Sequence, residues 1–133
     1  MRQAPKPRYK GYIFDLDGTI YLSDRLIPGS RKVLSRLRDC GCSVVFISNK
    51  PLEPRSSYAA KLTRLGIPTS ASDVINSTQA LIRYLREHCP TARLFVIGEE
   101  ALLQELRRER FNLTERVEEI DVVVAAFDRT LCY

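Results

Sequence analysis

The sequence predicts an α/β fold built on a doubly wound parallel sheet. Short apolar runs alternate along the chain with longer segments whose apolar residues recur at helical spacing, and glycine, proline or serine marks most of the boundaries. Strands that alternate with helices in this way form parallel sheets, because each helix carries the chain back across the sheet. The length of 133 residues and the 44% apolar content are enough to bury a core.

The first half of the chain predicts two strands, each followed by a helix. An apolar run at residues 12–15 forms the first strand, and Ser30 is the expected N-cap of a helix that Gly41 ends. Residues 43–47 are almost uniformly apolar, which predicts a strand buried on both faces. A second helix is expected over residues 56–65, because its apolar residues recur at three- and four-residue spacing.

The second half continues the alternation. Residues 73–75 predict a short strand, residues 78–88 a helix, and residues 94–97 a further strand. Gly98 and two glutamates then open a fourth helix whose last turn carries arginines, the charge arrangement that the helix dipole favours. Residues 122–126 form the last predicted strand.

Charge, hydropathy and cysteine spacing indicate which partners and which cellular compartment to expect. The net charge is +5, but lysine and arginine are spread over several predicted helices without a dense block, so we expect anionic small molecules and no nucleic acid. No apolar run is long enough to span a bilayer, and we expect no membrane partner. Free thiols in the cytoplasm are predicted from the absence of CxxC or His-containing metal spacing around Cys40, Cys42, Cys89 and Cys132.

The segment that carries most chemistry is Asp15-Leu16-Asp17-Gly18-Thr19, directly after the first predicted strand. Residues two apart in an extended chain point to the same side, so Asp15 and Asp17 can converge on one phosphate and one metal ion. Asp15 is the candidate nucleophile, and Asp17 is the candidate general acid and base. Gly18 permits a sharp turn, and Thr19 adds a hydroxyl beside it. Such a carboxylate pair alone is also typical of a solvated turn or a simple metal site.

A second polar group, Ser48-Asn49-Lys50, follows the next buried strand. Ligands of open parallel sheets bind at the carboxyl ends of strands, where Asp15 and Ser48 are both expected. Ser48 can donate its hydroxyl to a phosphoryl oxygen, and Asn49 can orient the nucleophile or contact the substrate. A Mg²⁺ ion bound by the Asp15 carboxylate and the Asp17 main-chain carbonyl would offset the negative charge of the site.

These residues resemble the motifs of the haloacid dehalogenase superfamily. Its first motif, DxDGT, matches residues 15–19, and its second, a Ser or Thr at a strand end, matches Ser48. Ile27-Pro28-Gly29 and the segments 96–100 and 122–129 are similar to the NagD-like branch, which contains para-nitrophenyl, nucleotide, sugar-phosphate and phosphoglycolate phosphatases. The likeness runs from about residue 11 to the end of the chain.

The resemblance implies an activity and a set of contacts. It implies a Mg²⁺-dependent phosphatase that hydrolyses a small phosphate monoester through an aspartyl-phosphate at Asp15. Besides the Ser48 group, it implies phosphate or substrate contacts from Leu16, Gly18 and Thr19. Lys50 departs from the asparagine that is commoner in that branch, and its cation can meet an anionic substrate.

The resemblance also implies an organisation. A flexible basic tail at residues 1–10 precedes the N-terminal part of the core at residues 11–90, and residues 91–133 form part of an inserted α/β cap. A small phosphorylated metabolite is the expected partner. A homodimer is left open, because exposed sheet edges can pair between molecules.

Two later motifs of the superfamily have no counterpart in the sequence. These are a third-motif lysine and a fourth-motif acidic pair; Lys32 and Lys61 lie in predicted helices and are poor substitutes. The alternative interpretation is therefore a truncated, non-catalytic fragment or binding module. A phosphotransferase or mutase that uses the same aspartyl-phosphate is a third interpretation.

Overall fold

A computed structural model describes residues 7–50 and 53–130, and these form two compact units. Unit 1 comprises the described residues up to Ser48 together with Arg55–Ile75. Unit 2 comprises the described residues of Asn49–Pro54 and those from Asn76 onward. The predicted tail lies mostly outside the described residues; Tyr9, near its end, stacks edge-on against the ring of Tyr12.

Unit 1 is built on a three-stranded sheet whose strands are connected by helices. In chain order its elements are β1 (Gly11–Asp15), β2 (Tyr21–Leu22), β3 (Arg25–Leu26), α1 (Ser30–Asp39), β4 (Ser43–Ser48), α2 (Arg55–Arg64), a 3₁₀ turn (Ala71–Asp73) and β5 (Val74–Asn76), whose last residue belongs to unit 2. The sheet has the order β1-β4-β5, and β2 and β3 form a separate antiparallel hairpin. β1 and β4 are parallel, with Gly11 beside Ser43 and Asp15 beside Ile47.

Helices α1 and α2 pack on one face of this sheet. Because the strand order follows the chain order and such crossovers are right-handed, both helices must lie on the same side. Phe46 of β4 is fully buried there in one cluster with Leu34 of α1 and Leu62 of α2. On the opposite face, Ile13 is 70% exposed and Ile47 is 42% exposed. The prediction that the strand at 43–47 is buried on both faces is therefore wrong, because no described helix of unit 1 packs on that side.

Unit 2 has its own sheet and its own core. Its elements are α3 (Ser77–His88), β6 (Arg93–Ile97), α4 (Glu100–Arg108), β7 (Asn112–Leu113), a 3₁₀ turn (Val117–Glu119) and β8 (Val122–Ala125). The strands are parallel in the order β7-β6-β8. Leu85 of α3, Leu94 of β6, and Leu102 and Leu106 of α4 are buried together.

The predicted α/β fold with parallel sheets is confirmed, and most predicted elements lie within two residues of their observed bounds. The N-cap of α1 is an exception. Gly29 occupies that position with φ +93°, and Ser30 is the first helical residue. The Ser30 hydroxyl donates to the main-chain carbonyls of Ile20 (3.0 Å) and Ile27 (2.5 Å), so it tethers the start of the helix to the preceding loop.

The boundary between the two units falls at a different residue from the predicted boundary between core and cap. Contacts group α3 with unit 2, which begins its main segment at Asn76, whereas the predicted cap begins at residue 91. The assignment of residues 11–90 and 91–133 to core and cap stays a prediction. Among the described residues, none of the helices combines the length and the apolar character needed to cross a bilayer.

In unit 2, Arg93 and Asp121 form a double ion pair beside the sheet. The Arg93 guanidinium donates to both carboxylate oxygens of Asp121 at 2.9 and 3.1 Å, and the Arg93 main-chain N–H adds a third hydrogen bond. These donors lower the pKa of Asp121 from its ordinary value of 3.8 to about 2.

This shift predicts a defined acid sensitivity. A carboxyl whose pKa is lower in the folded state stabilises the fold above the unfolded pKa, and this stabilisation is lost as pH falls from about 4 to about 2. We expect an NMR titration of Asp121 to give a pKa of about 2, and Arg93→Gln to move it back toward the ordinary value. A titration of Asp121 in the wild-type protein near 3.8 would contradict the ion pair.

Candidate active site

The candidate site begins where β1 ends. Asp15 is the last residue of β1 and is exposed, and Asp17 is exposed two residues later. Between them, the side chain of Leu16 is fully buried in the core of unit 1. Leu16 therefore anchors the segment, and its buried side chain leaves the two flanking carboxylates in contact with solvent.

The segment after β1 is a tight hydrogen-bonded turn. The Leu16 carbonyl accepts from the N–H groups of Thr19 (3.3 Å), Ile20 (2.9 Å) and Tyr21 (3.3 Å). The Gly18 N–H donates to the Tyr21 carbonyl at 2.8 Å, and Gly18 has φ +80°. Leu16 and Gly18 were predicted to contact phosphate; the structure gives the Leu16 side chain a core position and the Gly18 N–H a partner within the turn. The side chain of Thr19 is exposed beside them.

Gly18→Ala tests whether this turn depends on its left-handed residue. A Cβ at Gly18 would meet no heavy atom within 4 Å, so the cost comes from the backbone conformation alone. We expect the free energy of unfolding to fall by about 1–2 kcal/mol, measured by urea titration. Gly11→Ala is the matched control, because Gly11 lies in β1 without a positive φ and its Cβ would approach Ser43 no closer than 3.8 Å. Equal effects of the two substitutions would contradict a conformational role for Gly18.

Ser48 lies at the same edge of the sheet as Asp15. It is the last residue of β4, and the preceding Ile47 is the register partner of Asp15. Neighbouring strands lie about 5 Å apart, so Asp15 and Ser48 meet at one edge. Ser48 is only 6% exposed, one of the few buried polar side chains among the described residues. Asp15 and Ser48 thus end neighbouring strands at the same edge of the sheet, as predicted.

Asn49 and Lys50 follow Ser48 directly but group with unit 2. Both are exposed, and the Asn49 carbonyl accepts a hydrogen bond from the Ser77 hydroxyl at 3.3 Å. Asn49 also borders a cavity of about 270 Å³ in unit 2. Its other lining residues are Ser77, Thr78, Leu81, Leu102, Val124, Ala125, Ala126 and Phe127. The predicted site residues are therefore divided between the two units at the Ser48–Asn49 bond.

Asn76 is the N-cap of α3, a role that was not predicted from the sequence. Asn76 is 3% exposed; its carbonyl oxygen accepts from the Gln79 N–H (3.0 Å), and its amide donates to the Glu53 carbonyl (3.1 Å). Asn76 thereby fixes the start of the helix that carries Ser77. The signal was present, because an asparagine three residues before a glutamine is a capping pattern.

Lys61 of α2 has structural contacts that were not predicted from the sequence. Its Nζ lies 4.1 Å from the centre of the Tyr21 ring and 3.6 Å from an Asp24 carboxylate oxygen. Tyr21 is 1% exposed and belongs to the core of unit 1. Lys61 therefore holds the β2–β3 hairpin against α2 through a cation–π contact and an ion pair.

The donor set at the end of β1 suits a hard cation that keeps part of its water shell. Among the described ranges 7–50 and 53–130, no three His, Cys, Asp or Glu side chains cluster as metal ligands. Mg²⁺ is usually bound by one or two carboxylates with waters and substrate phosphate, and Asp15 provides such a carboxylate, with the main-chain carbonyl of Asp17 two residues later.

Comparisons with known proteins identify the family to which the chain belongs. A family model described as haloacid dehalogenase-like hydrolase matches residues 12–112. The sugar-phosphatase AraL of Bacillus subtilis is 32% identical over 123 residues, which cover 92% of this chain and 45% of AraL. The crystal structure of 4-nitrophenylphosphatase from Thermotoga maritima gives a TM-score of 0.84 at 29% identity, covering 93% of this chain and 47% of that one.

A third relative was solved with a metal. The glycerol phosphate phosphatase of Mycobacterium tuberculosis, in complex with magnesium, gives a TM-score of 0.79 at 28% identity and covers 93% of this chain and 38% of that one. The chain thus spans less than half the length of each of these three relatives. The family match includes residues 15–19 and Ser48 and extends over most of the sequence. The chain belongs to the haloacid dehalogenase-like hydrolase family.

Proposed function

We propose that this chain is a Mg²⁺-dependent phosphatase that hydrolyses a small phosphate monoester. The observation that carries the proposal is that an exposed Asp15 ends β1 and a buried Ser48 ends the neighbouring strand β4. An anionic oxygen nucleophile beside a hydroxyl donor is the pair of groups that phosphoryl transfer requires.

The reaction proceeds in two displacements. A carboxylate oxygen of Asp15 attacks phosphorus, the bond between phosphorus and the ester oxygen breaks, and the leaving oxygen takes a proton from Asp17. Asp17 then removes a proton from a water molecule, which attacks the aspartyl-phosphate and releases inorganic phosphate with Asp15 restored. The Ser48 hydroxyl donates to a phosphoryl oxygen in both steps, and Asn49, Lys50 and Thr19 are proposed substrate contacts.

Asp15 and Asp17 would hold the Mg²⁺ ion, the first through its carboxylate and the second through its main-chain carbonyl. When bound, Mg²⁺ stabilises the negative charge that develops on the phosphoryl oxygens. The magnesium complex of the mycobacterial relative supports this choice of metal.

The substrate class is a small phosphorylated metabolite. AraL is a sugar-phosphatase, and the two structural relatives are named for 4-nitrophenyl and glycerol phosphates, so phosphate monoesters with different leaving groups occur among similar proteins. A reducing, cytoplasmic location belongs to the same proposal, and the described cysteines Cys40, Cys42 and Cys89 are all free thiols. Cys132 lies outside the described residues.

Hydrolysis of para-nitrophenyl phosphate by the purified 133-residue chain tests the proposal. We expect turnover with Mg²⁺, loss of at least about 90% of the rate with excess EDTA, and recovery when Mg²⁺ is restored. Circular dichroism in both conditions separates loss of metal from loss of fold. A folded chain without turnover would reject the proposal for this chain and favour the alternative, a non-catalytic binding module.

A further inference from the structure

Unit 1 contains a cavity of about 390 Å³, formed by one face of α1 and the loop at residues 66–68. α1 runs from the carboxyl end of β1 back to the amino end of β4, since Gly11 pairs with Ser43 there. The last turn of α1 and the loop that follows α2 therefore lie toward the edge of the sheet opposite to Asp15. This cavity is distinct from the proposed catalytic site.

One face of α1 presents two arginines to this cavity. Arg31, Ser35 and Arg38 all line it, and their spacing of four and three residues places them on one side of the helix. The two arginines are separated by about 10 Å along the helix axis, because each residue advances a helix by about 1.5 Å. The side chain of Ser35 places a hydroxyl between them.

The loop at residues 66–68 positions both guanidinium groups. Arg38 Nη1 donates to the Pro68 carbonyl at 2.5 Å. The Arg31 guanidinium lies so close to Gly66 that a Cβ there would come within 3.3 Å of Nη1. Gly66 also has φ +87°, the conformation that lets the chain leave α2 at this point. The Arg38 guanidinium is therefore held in place before any ligand arrives, which reduces the entropy lost on binding, and the Arg31 guanidinium lies against the loop beside it.

The cavity is lined by more positively charged side chains than negatively charged ones. Asp39 is its single acidic lining residue, and its carboxylate lies 3.5 Å from the Ser35 hydroxyl. Within the described part of the chain, no carboxylate lies within ion-pair distance of Arg31 or Arg38. The floor is apolar, because Leu34 and Ile67 line the cavity with exposures of 1% and 2%. Two guanidinium groups above an apolar floor suit an organic anion rather than a bare ion.

We propose that this cavity binds a small organic phosphate with two separated anionic groups, such as a sugar bisphosphate. One phosphate pairs with the Arg31 guanidinium and the other with the free N–H groups of Arg38, while the Ser35 hydroxyl donates to an intervening oxygen. The carbon skeleton lies over Leu34 and Ile67. This site requires neither Asp15 nor Mg²⁺.

Calorimetric titration without Mg²⁺ tests the site, with fructose 1,6-bisphosphate, inorganic phosphate and unphosphorylated fructose as probes. We expect the bisphosphate to bind most tightly and fructose not to bind. Arg31→Gln should weaken bisphosphate binding at least about tenfold, since it removes one charged donor. Arg64→Gln is the matched control: Arg64 is an exposed arginine of unit 1, outside the cavity, and its replacement should change affinity less than about twofold. Equal weakening by both variants, or no binding of the bisphosphate, would overturn the proposal.

Backbone NMR on the wild-type chain gives a test that needs no variant. Addition of the bisphosphate should shift the amide resonances of Ser35, Gly66 and Ile67. Shifts confined to residues 15–19 and Ser48 would place the ligand in the proposed catalytic site and overturn the second site. Failure of the phosphatase assay leaves this expectation unchanged, so the two proposals can be rejected separately.

Discussion

Replacing Asp15 with asparagine should lower the rate of para-nitrophenyl phosphate hydrolysis at least about a thousandfold. The amide matches the carboxylate in size but lacks the anionic oxygen that attacks phosphorus. Because Asp15 is exposed at the end of β1, we expect the free energy of unfolding to change by less than about 0.5 kcal/mol. Steady-state rates with saturating Mg²⁺, together with urea titrations of both proteins, measure the two effects.

Asp24→Asn is the control for this substitution. Asp24 lies in the turn of the β2–β3 hairpin with a side chain that is 79% exposed, and its carboxylate is 3.6 Å from Lys61 and 3.8 Å from Arg64. The variant removes the same charge from the same unit, and its rate should stay within about twofold of the wild type, because exposed ion pairs contribute little. If Asp15→Asn were as active as Asp24→Asn, Asp15 would not be the nucleophile.

The largest expected change in stability is caused by Phe46→Ala. Phe46 is fully buried in the central strand of unit 1, and its truncation removes apolar contacts and leaves a cavity. Such substitutions lower the free energy of unfolding by about 3–5 kcal/mol. Urea titration followed by circular dichroism measures the loss, provided that the slope with denaturant matches that of the wild type.

Ile13→Ala provides the comparison on the other face of the same sheet. Ile13 is 70% exposed, so its truncation should cost less than about 1 kcal/mol. A cost as large as that of Phe46→Ala would show that the outer face is covered in solution. Repeating the titration at several protein concentrations would then identify a homodimer, because its stability rises with concentration.

The long elements were predictable because their hydrophobic patterns are local. β4 and α2 were each placed within one residue of their observed bounds, since their apolar residues follow strand and helix periods. The β2–β3 hairpin was not predicted, because its strands have two residues each and its turn is Ser23-Asp24 rather than Asn-Gly or Asp-Gly. Ser23 nevertheless takes the positive φ, +50°, that such a turn needs.

One-sided burial could not be predicted from the strand itself. The run at residues 43–47 does not show which face receives helices, because that depends on the order of strands in the sheet. With the order β1-β4-β5, right-handed crossovers place α1 and α2 on the side of Phe46. Ile47 is left half exposed for the same reason.

The part of the candidate site that lies at strand ends was predictable, because a strand and the residue that ends it belong to one short segment. Asp15 and Ser48 end β1 and β4 as expected, because the apolar residues before them specify the strands. The grouping of Asn49 with unit 2 could not be foreseen. It involves a hydrogen bond to Ser77, 28 residues later in the chain, which no local pattern encodes.

The interleaving of the two units affects how the protein is made. The chain passes from one unit to the other after Ser48, after Pro54 and after Ile75, so neither unit is a continuous stretch of sequence. On the ribosome, Asp15 and Ser48 emerge well before the residue that hydrogen-bonds to Asn49. The main-chain carbonyl of Asn49 therefore gains its hydrogen bond only after Ser77 is synthesised, and a nascent chain arrested before that point would carry Asp15 and Ser48 without this bond at the next residue.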